Sequence, residues 1–127
     1  HTRIMTTIPD HEWESVRIGI AGPPVGHPEG WLLFYHAVDS DNRYRLGVAL
    51  LAKENPRKIL ARHRKPVIEP TMDWEKEGWV PDVIFSCATK EKKERYEIIY
   101  GGADRAIGAA YLNKEDLKFE EQDWLQE

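Results

Sequence analysis

His36 stands in the stretch GWLLFYHAVDS (Gly30 to Ser40), a run of large apolar side chains that ends on an acidic turn. An imidazole so placed has two uses: bonded to a neighbouring carbonyl in a core, or turned toward a ligand as a donor or proton carrier. From the residues alone the core role is the default. Cys87, the one cysteine, lies in another apolar run, VIFSC. A single thiol excludes an internal disulfide and a zinc site of paired thiolates, and with no histidine near it in sequence it reads as buried and inert. His11, His27 and His63 fall in polar segments without metal-ligand spacing and read as solvated, so no metal is expected. Five Trp and five Tyr supply flat amphipathic rings, which suit core packing and also stack on sugar faces.

The elements that would position these groups are strands. WLLFYHAV and YRLGVALLA read as two buried strands joined by the turn DSDNR. KILARH is shorter, and KPVIEP is closed off by prolines. VPDVIFSCAT and RYEIIYGGA form a second pair across the charged run KEKKE, which reads as a solvated hairpin loop. RAIGAAYL follows, and then an acidic tail over 113–127, where Asn113 is placed to cap a short helix and Trp124 and Leu125 could meet a neighbouring subunit.

The two halves share a grammar. In FYHAVDSDNRYRLGVALL and IYGGADRAIGAAYL an apolar strand ends on Tyr35 or Tyr100, an acidic turn follows, and a second strand carries a small-residue segment. Gly47 and Gly108 are 61 positions apart, and small residues there would let strands approach closely around a crowded centre. A repeated antiparallel unit of this kind fits a β-propeller blade; an ordinary β-sandwich fits the same periodicity.

Composition bounds the rest. The chain has 127 residues, 41% hydrophobic and 31% charged, which suits one globular domain or a piece of a larger one. A net charge of −4 gives no general attraction to nucleic acid or to anionic membranes. No apolar run approaches the roughly 20 residues of a membrane span, and a cytoplasmic home is expected. The sequence starts at His1 rather than Met, leaving room for residues upstream.

The series WESVRIGIAGPPV, GWLLFYHAVD, YRLGVALL, NPRKILAR, PVIEP, GWVPDVIFSCA and YGGADRAIGAAYL, from Trp13 to Leu112, resembles the C-terminal half of the glycoside hydrolase family 130 proteins. The resemblance implies an all-β fold, part of a five-bladed β-propeller supplying about two to three blades, with a short helical tail; residues 1–127 would be a single fragment-like domain. It also implies a carbohydrate-active protein: a β-mannoside phosphorylase, which cleaves with inorganic phosphate as co-substrate and inverts to mannose 1-phosphate, or a β-1,2-mannosidase, which uses water. No metal or organic cofactor is implied. The family's general acid belongs to the N-terminal half, so no catalytic residue is assigned here. A non-catalytic sugar-binding or self-assembling half-propeller is the other reading.

On the same resemblance, Arg17 and His36 match the phosphate-holding positions, Arg17 standing where many members carry Lys. A guanidinium keeps the charge and changes the geometry, since it can bind phosphate through two parallel hydrogen bonds. A bound dianion would favour the charged form of His36. Asp104, in GGAD, matches an aspartate that binds sugar hydroxyls, although Asp after two glycines is also a common turn former. Tyr44 and Arg43 open a strand and could line the pocket. Asp82, in VPDVIF, stands where Asn is usual and adds negative charge near the expected anion, which counts against phosphate and leaves room for the hydrolytic members or for a lost activity. The prolines of GPPV (Gly22 to Val25) would stiffen a wall of the cleft. The partners implied are a β-mannoside or oligosaccharide, phosphate, and either further copies of the chain or a complementary N-terminal half.

Overall fold

The computed structural model describes residues 1–125. The first sheet is built on β3 (Gly30–Val38) and β4 (Tyr44–Ala52), paired antiparallel over nine registered positions. Both strands are nearly continuous apolar runs because both of their faces are covered. β1 (Arg17–Ile20) and β2 (Val25–His27) pair one after the other along the outer side of β3, and β5 (Ile59–Arg62) pairs with β4 across an irregularity at Leu50 and Leu51. The second sheet has the order β6 (Ile84–Glu91), β7 (Arg95–Gly102), β8 (Ala106–Asn113), antiparallel throughout. One face of the first sheet packs Leu32, Phe34, Leu46, Val48 and Leu50 against Tyr96 and Ile98 of the second. Full burial of each such side chain stabilises by about 1.5–3 kcal/mol. The other face of the first sheet holds a smaller cluster of Tyr35, Ala37 and Ala49 under Trp13 and Met5.

The turn between β3 and β4 is tied by Asp39. Its Oδ1 accepts the N–H groups of Asp41 at 2.9 Å and Arg43 at 3.0 Å, its Oδ2 accepts Arg45 Nη1 at 2.8 Å, and Asn42 takes φ 60°. Asn tolerates that left-handed backbone better than most residues, which is why this acidic segment turns.

Several expectations are corrected. β3 runs three residues past Tyr35 and β7 two past Tyr100. Gly47 and Gly108 make room for rings rather than for closer strands: a Cβ on Gly47 would lie 2.5 Å from Tyr35 Cζ and 2.8 Å from the Trp13 ring, and one on Gly108 would enter the Trp74 ring. KPVIEP forms no strand; Ile68 makes a single bridge to Leu46. Cys87 is exposed, because the irregularity between Ser86 and Ala88 turns it outward. The helical part of the tail is two 3₁₀ turns, Lys114–Asp116 and Glu121–Asp123, and Asn113 donates to Asp116 Oδ2 instead of capping a backbone N–H. The tail folds back on its own chain: Trp124 bridges Ala61, and the Leu125 N–H donates to Leu60 O at 2.9 Å. Among the described residues, no helix is long and apolar enough to cross a membrane.

Candidate functional site

Strand register brings the expected groups to one end of the stacked sheets. Arg17, Val38 and Tyr44 form a row across β1, β3 and β4, so their side chains share a face. Arg17 spans that row: Nη2 donates to Tyr44 Oη at 3.1 Å, with the guanidinium carbon 5.9 Å from the Tyr44 ring centre. The next row is Gly19, His36 and Leu46. Glycine at 19 leaves His36 open on that side, the nearest approach of a Cβ there being 4.0 Å from His36 Cδ2.

His36 is 5% exposed, and Phe85 lies flat on its ring, with centroids 3.9 Å apart and planes 8° apart. Nδ1 has no hydrogen-bond partner among the described residues. Burial pushes the imidazole below its ordinary value, opposed by a hydrogen bond with the Ser86 backbone, so the resting ring favours the neutral form. Both alternatives for His36 therefore keep a physical basis: it is packed as a core residue, yet one ring nitrogen has no partner.

Asp104 sits in the β7–β8 turn, where Ala103 and Asp104 both have positive φ, 49° and 55°, and the Arg105 N–H donates to Gly102 O at 3.0 Å. Two left-handed positions in succession make the hairpin turn that usually takes Asn-Gly, and placing Ala and Asp there costs on the order of 1 kcal/mol per residue. A cavity of about 270 Å³ opens beside this turn, lined by Tyr44, Val80, Val83, Phe85, Gly101 and Asp104. Ligand pockets for drug-sized molecules run from about 300 to 1,000 Å³, so this one falls just below that range.

Arg43 and Asp82 are placed elsewhere. They line a second hollow of about 330 Å³ with Arg45, Glu69, Pro70 and Lys76. Tyr44 and Val83 form a parallel bridge between the two hollows, and the Tyr44 N–H donates to Asp82 O at 2.9 Å. Asp82 has φ 58°, a backbone demand that Asn and Asp both meet, which gives the residue a role in the turn independent of ligand charge. The GPPV loop packs Gly22 against the Cys87 backbone, where a Cβ would come within 2.7 Å of the carbonyl oxygen, and it does not line either hollow.

The structure thus joins Arg17, Tyr44 and Asp104 through Tyr44, keeps His36 beneath Phe85, and separates Arg43 and Asp82. Phe85, Val80, Val83 and Lys76 were not legible as site residues; Phe85 stood in the run VIFSC like any core aromatic. Among the described residues, no group of three or more His, Cys, Asp or Glu converges to hold a metal.

The pattern of the glycoside hydrolase 130 family, described as β-1,4-mannooligosaccharide phosphorylase, matches residues 2–122. A β-1,2-mannobiose phosphorylase of Thermoanaerobacter sp. (strain X514) is 53% identical over 109 residues, covering 86% of this chain and 36% of the relative. A 1,2-β-oligomannan phosphorylase of the same strain is 49% identical over 119 residues, covering 94% and 40%. Among solved structures, the β-1,2-mannobiose phosphorylase of Listeria innocua in complex with β-1,2-mannobiose superposes with TM-score 0.79 at 34% identity, over 83% of this chain and 30% of that one. The chain spans between about a third and two-fifths of the length of these curated relatives.

Proposed function

The chain belongs to the glycoside hydrolase 130 family, and from that premise we propose that it supplies the anion- and sugar-binding side of a β-mannoside phosphorylase. The observation that carries this reading is the position of Tyr44, which accepts a hydrogen bond from Arg17 and lines the same cavity as Asp104. A phenol and a carboxylate then border one opening, and the phenol carries a cation on its hydroxyl. Phosphorolysis asks for such an arrangement: positive charge to hold phosphate for in-line attack at the anomeric carbon, and acceptors that fix the sugar hydroxyls. Where water is the nucleophile a carboxylate must activate it; with phosphate that base is unnecessary.

In this reading Arg17 holds the phosphate, Asp104 and Tyr44 orient the sugar, and His36 joins the anion site once it is charged. The acid that protonates the leaving oxygen comes from a complementary half. The relatives act on β-1,2-linked mannose, which makes a β-1,2-mannoside the first substrate to try.

The test is a titration of the chain with inorganic phosphate and with β-1,2-mannobiose by NMR, followed by a phosphorolysis assay with the N-terminal part of a relative supplied in trans. Phosphate-dependent formation of mannose 1-phosphate, lost in Arg17→Ala, supports the reading. Sugar binding that ignores phosphate points to a non-catalytic module, and turnover in phosphate-free buffer points to a mannosidase; either result overturns it.

A further inference from the structure

Phe85 has no task in the proposed function, yet it touches both halves of the site. Its ring lies flat on the His36 imidazole at 3.9 Å and stands 6.4 Å from the Tyr44 ring, tilted by 56°. Tyr44 in turn takes the Arg17 hydrogen bond. Strand register puts Arg17, His36 and Tyr44 on one face of the first sheet, and Phe85 is laid over the imidazole there. What the ring covers is reactive. The Nδ1 atom of His36 is buried and has no hydrogen-bond partner among the described residues. A neutral imidazole with a free ring nitrogen is a general base for water. Glycine at 19 does not open a way to that nitrogen, because the position faces Cδ2, on the other edge of the ring. Phe85 itself is 46% exposed and pairs with Gly101, which places no side chain beside it on the ladder. The ring therefore has room to tilt off the imidazole toward the cavity it lines with Gly101 and Asp104.

We propose that Phe85 selects the nucleophile, keeping water from His36 and yielding to phosphate. This rests on the proposed function, in which Arg17 and His36 hold the anion. Tilting the ring away forfeits one ring contact, about 2- to 10-fold in an equilibrium constant. A water molecule that reaches Nδ1 gains one hydrogen bond to a neutral group, which is also about 2- to 10-fold, so it has no net advantage. Phosphate gains a charge-assisted bond to Arg17 as well, about 10- to 100-fold, and displaces the ring. Kept dry, the neutral imidazole has no water to activate, and the sugar is left for phosphate to attack. Once the anion is seated, its charge favours the imidazolium, which donates to phosphate oxygens and no longer accepts a proton.

Two measurements on the chain test the proposal. Carbethoxylation by diethyl pyrocarbonate, mapped by peptide mass, reads access to the His36 ring, and NMR titration with inorganic phosphate reads the anion. His36 is expected to react several-fold faster in Phe85→Ala than in the wild type. Phosphate affinity is expected to rise about 2- to 10-fold in the same variant, because the anion no longer displaces a ring. A ring that only supports the fold would lower that affinity or leave it alone. Phe85→Leu keeps a smaller apolar cover, should fall between in both readouts, and replaces Phe85→Ala if that variant does not fold. With the N-terminal part of a relative supplied in trans, Phe85→Ala should also gain turnover in phosphate-free buffer. Equal His36 reactivity in wild type and variants overturns the proposal, and so does a phosphate affinity that is unchanged or lowered. Arg17→Ala separates the two failures. If that variant loses phosphate while the Phe85 variants bind it as the wild type does, the anion site stands and the role of Phe85 falls. If phosphate binding ignores Arg17, both fall, since nothing then offsets the displaced ring.

Discussion

Glu14 and Glu75 stand 61 positions apart and hold equivalent places in the two sheets. Glu14 accepts the Tyr35 hydroxyl at 3.1 Å, and Glu75 accepts the Tyr100 hydroxyl. Each follows a tryptophan that stacks on the same tyrosine, Trp13 on Tyr35 at 6.3 Å and Trp74 on Tyr100 at 5.7 Å. Each tyrosine faces a glycine across the ladder, Gly47 or Gly108, and the missing side chain is what admits the rings. The repeat is therefore a Trp–Glu–Tyr–Gly unit joining a helical turn, Glu12–Glu14 in one copy and Asp73–Lys76 in the other, to a two-stranded ribbon. The carboxylates are completed differently. Glu14 takes His11 and Arg62, whereas Glu75 takes the N–H groups of Thr71 and Met72.

That difference sets the order of two substitutions. Glu14→Ala leaves the buried Arg62 guanidinium without its carboxylate, which costs about 3–5 kcal/mol. Glu75→Gln keeps an acceptor for the Tyr100 hydroxyl and is expected to cost about 1–2 kcal/mol. Gly108→Ala pushes a methyl into the Trp74 ring and should cost about 1–3 kcal/mol as overpacking. Urea midpoints at fixed pH rank the three; equal midpoints for the two Glu variants would remove the distinction.

Much of this was readable in the chain and part was not. The strands around His36 and Tyr100 announced themselves as apolar runs, and Gly47 and Gly108 marked the repeat; around His36 both faces of the strand are buried, so no polar position disguises it. The Trp–Glu pairs at the same spacing were equally visible, but their meaning depends on a tyrosine more than twenty residues away. Phe85 was illegible for the same reason: its contact with His36 crosses from one sheet to the other, and nothing local marks it. Arg17 and Asp104 could be named from family likeness and Tyr44 from its place at the start of a strand, while the division of Tyr44 from Arg43 into different hollows follows from strand alternation and the single bridge to Val83.

Stability should fall with acid in two stages. His27 and His36 are held below their ordinary 6.5 by burial, so the unfolded chain binds protons first as pH drops below about 6.5, and their contribution is lost as pH passes down through the folded values. Burial alone would raise Asp39 and Glu75, but their hydrogen bonds outweigh it and hold both carboxyls below 3.8 and 4.5. Their contribution is present above those values and is lost as pH falls further. Tyr96 is pushed up to about 12 by burial, with Glu91 adding to the shift, so its contribution is lost as pH rises above about 10. Denaturant melts across pH 3–8 are expected to be flat above 7, to decline below 6.5 and to steepen below 4.5. A maximum near pH 5 would contradict the assignment.

At Asp104 backbone and ligand chemistry pull apart. Asp104→Gly relieves a left-handed position and is expected to raise stability by up to about 1 kcal/mol, less the extra entropy of the unfolded chain. The same change removes the carboxylate acceptor and should weaken sugar binding about tenfold or more. Asp104→Asn keeps the turn and part of the hydrogen bonding, and falls between. Paired melting and mannobiose titrations decide the matter: if Asp104→Gly binds sugar as the wild type does, the residue only shapes the turn.

His36 beneath Phe85 gives the sharpest prediction for the anion site. Removing the ring in Phe85→Ala exposes the imidazole to water, so burial no longer holds its value down and it should move upward toward 6.5, read from the ring C–H shifts by NMR. In the wild-type chain, phosphate should move the His36 value the same way, because a nearby dianion favours the charged ring. Arg17→Ala should abolish that phosphate effect and lower phosphate affinity about 10- to 100-fold, the scale of losing a hydrogen bond to a charged group of roughly 1.5–3 kcal/mol. Arg17→Lys should retain part of it, since the charge stays and the two-pronged geometry does not. Tyr44→Phe removes the hydroxyl that steadies Arg17 and should cost only a few-fold. If phosphate leaves the His36 shifts unchanged while still binding through Arg17, the imidazole is a core residue whose unpartnered nitrogen has no part in holding the anion.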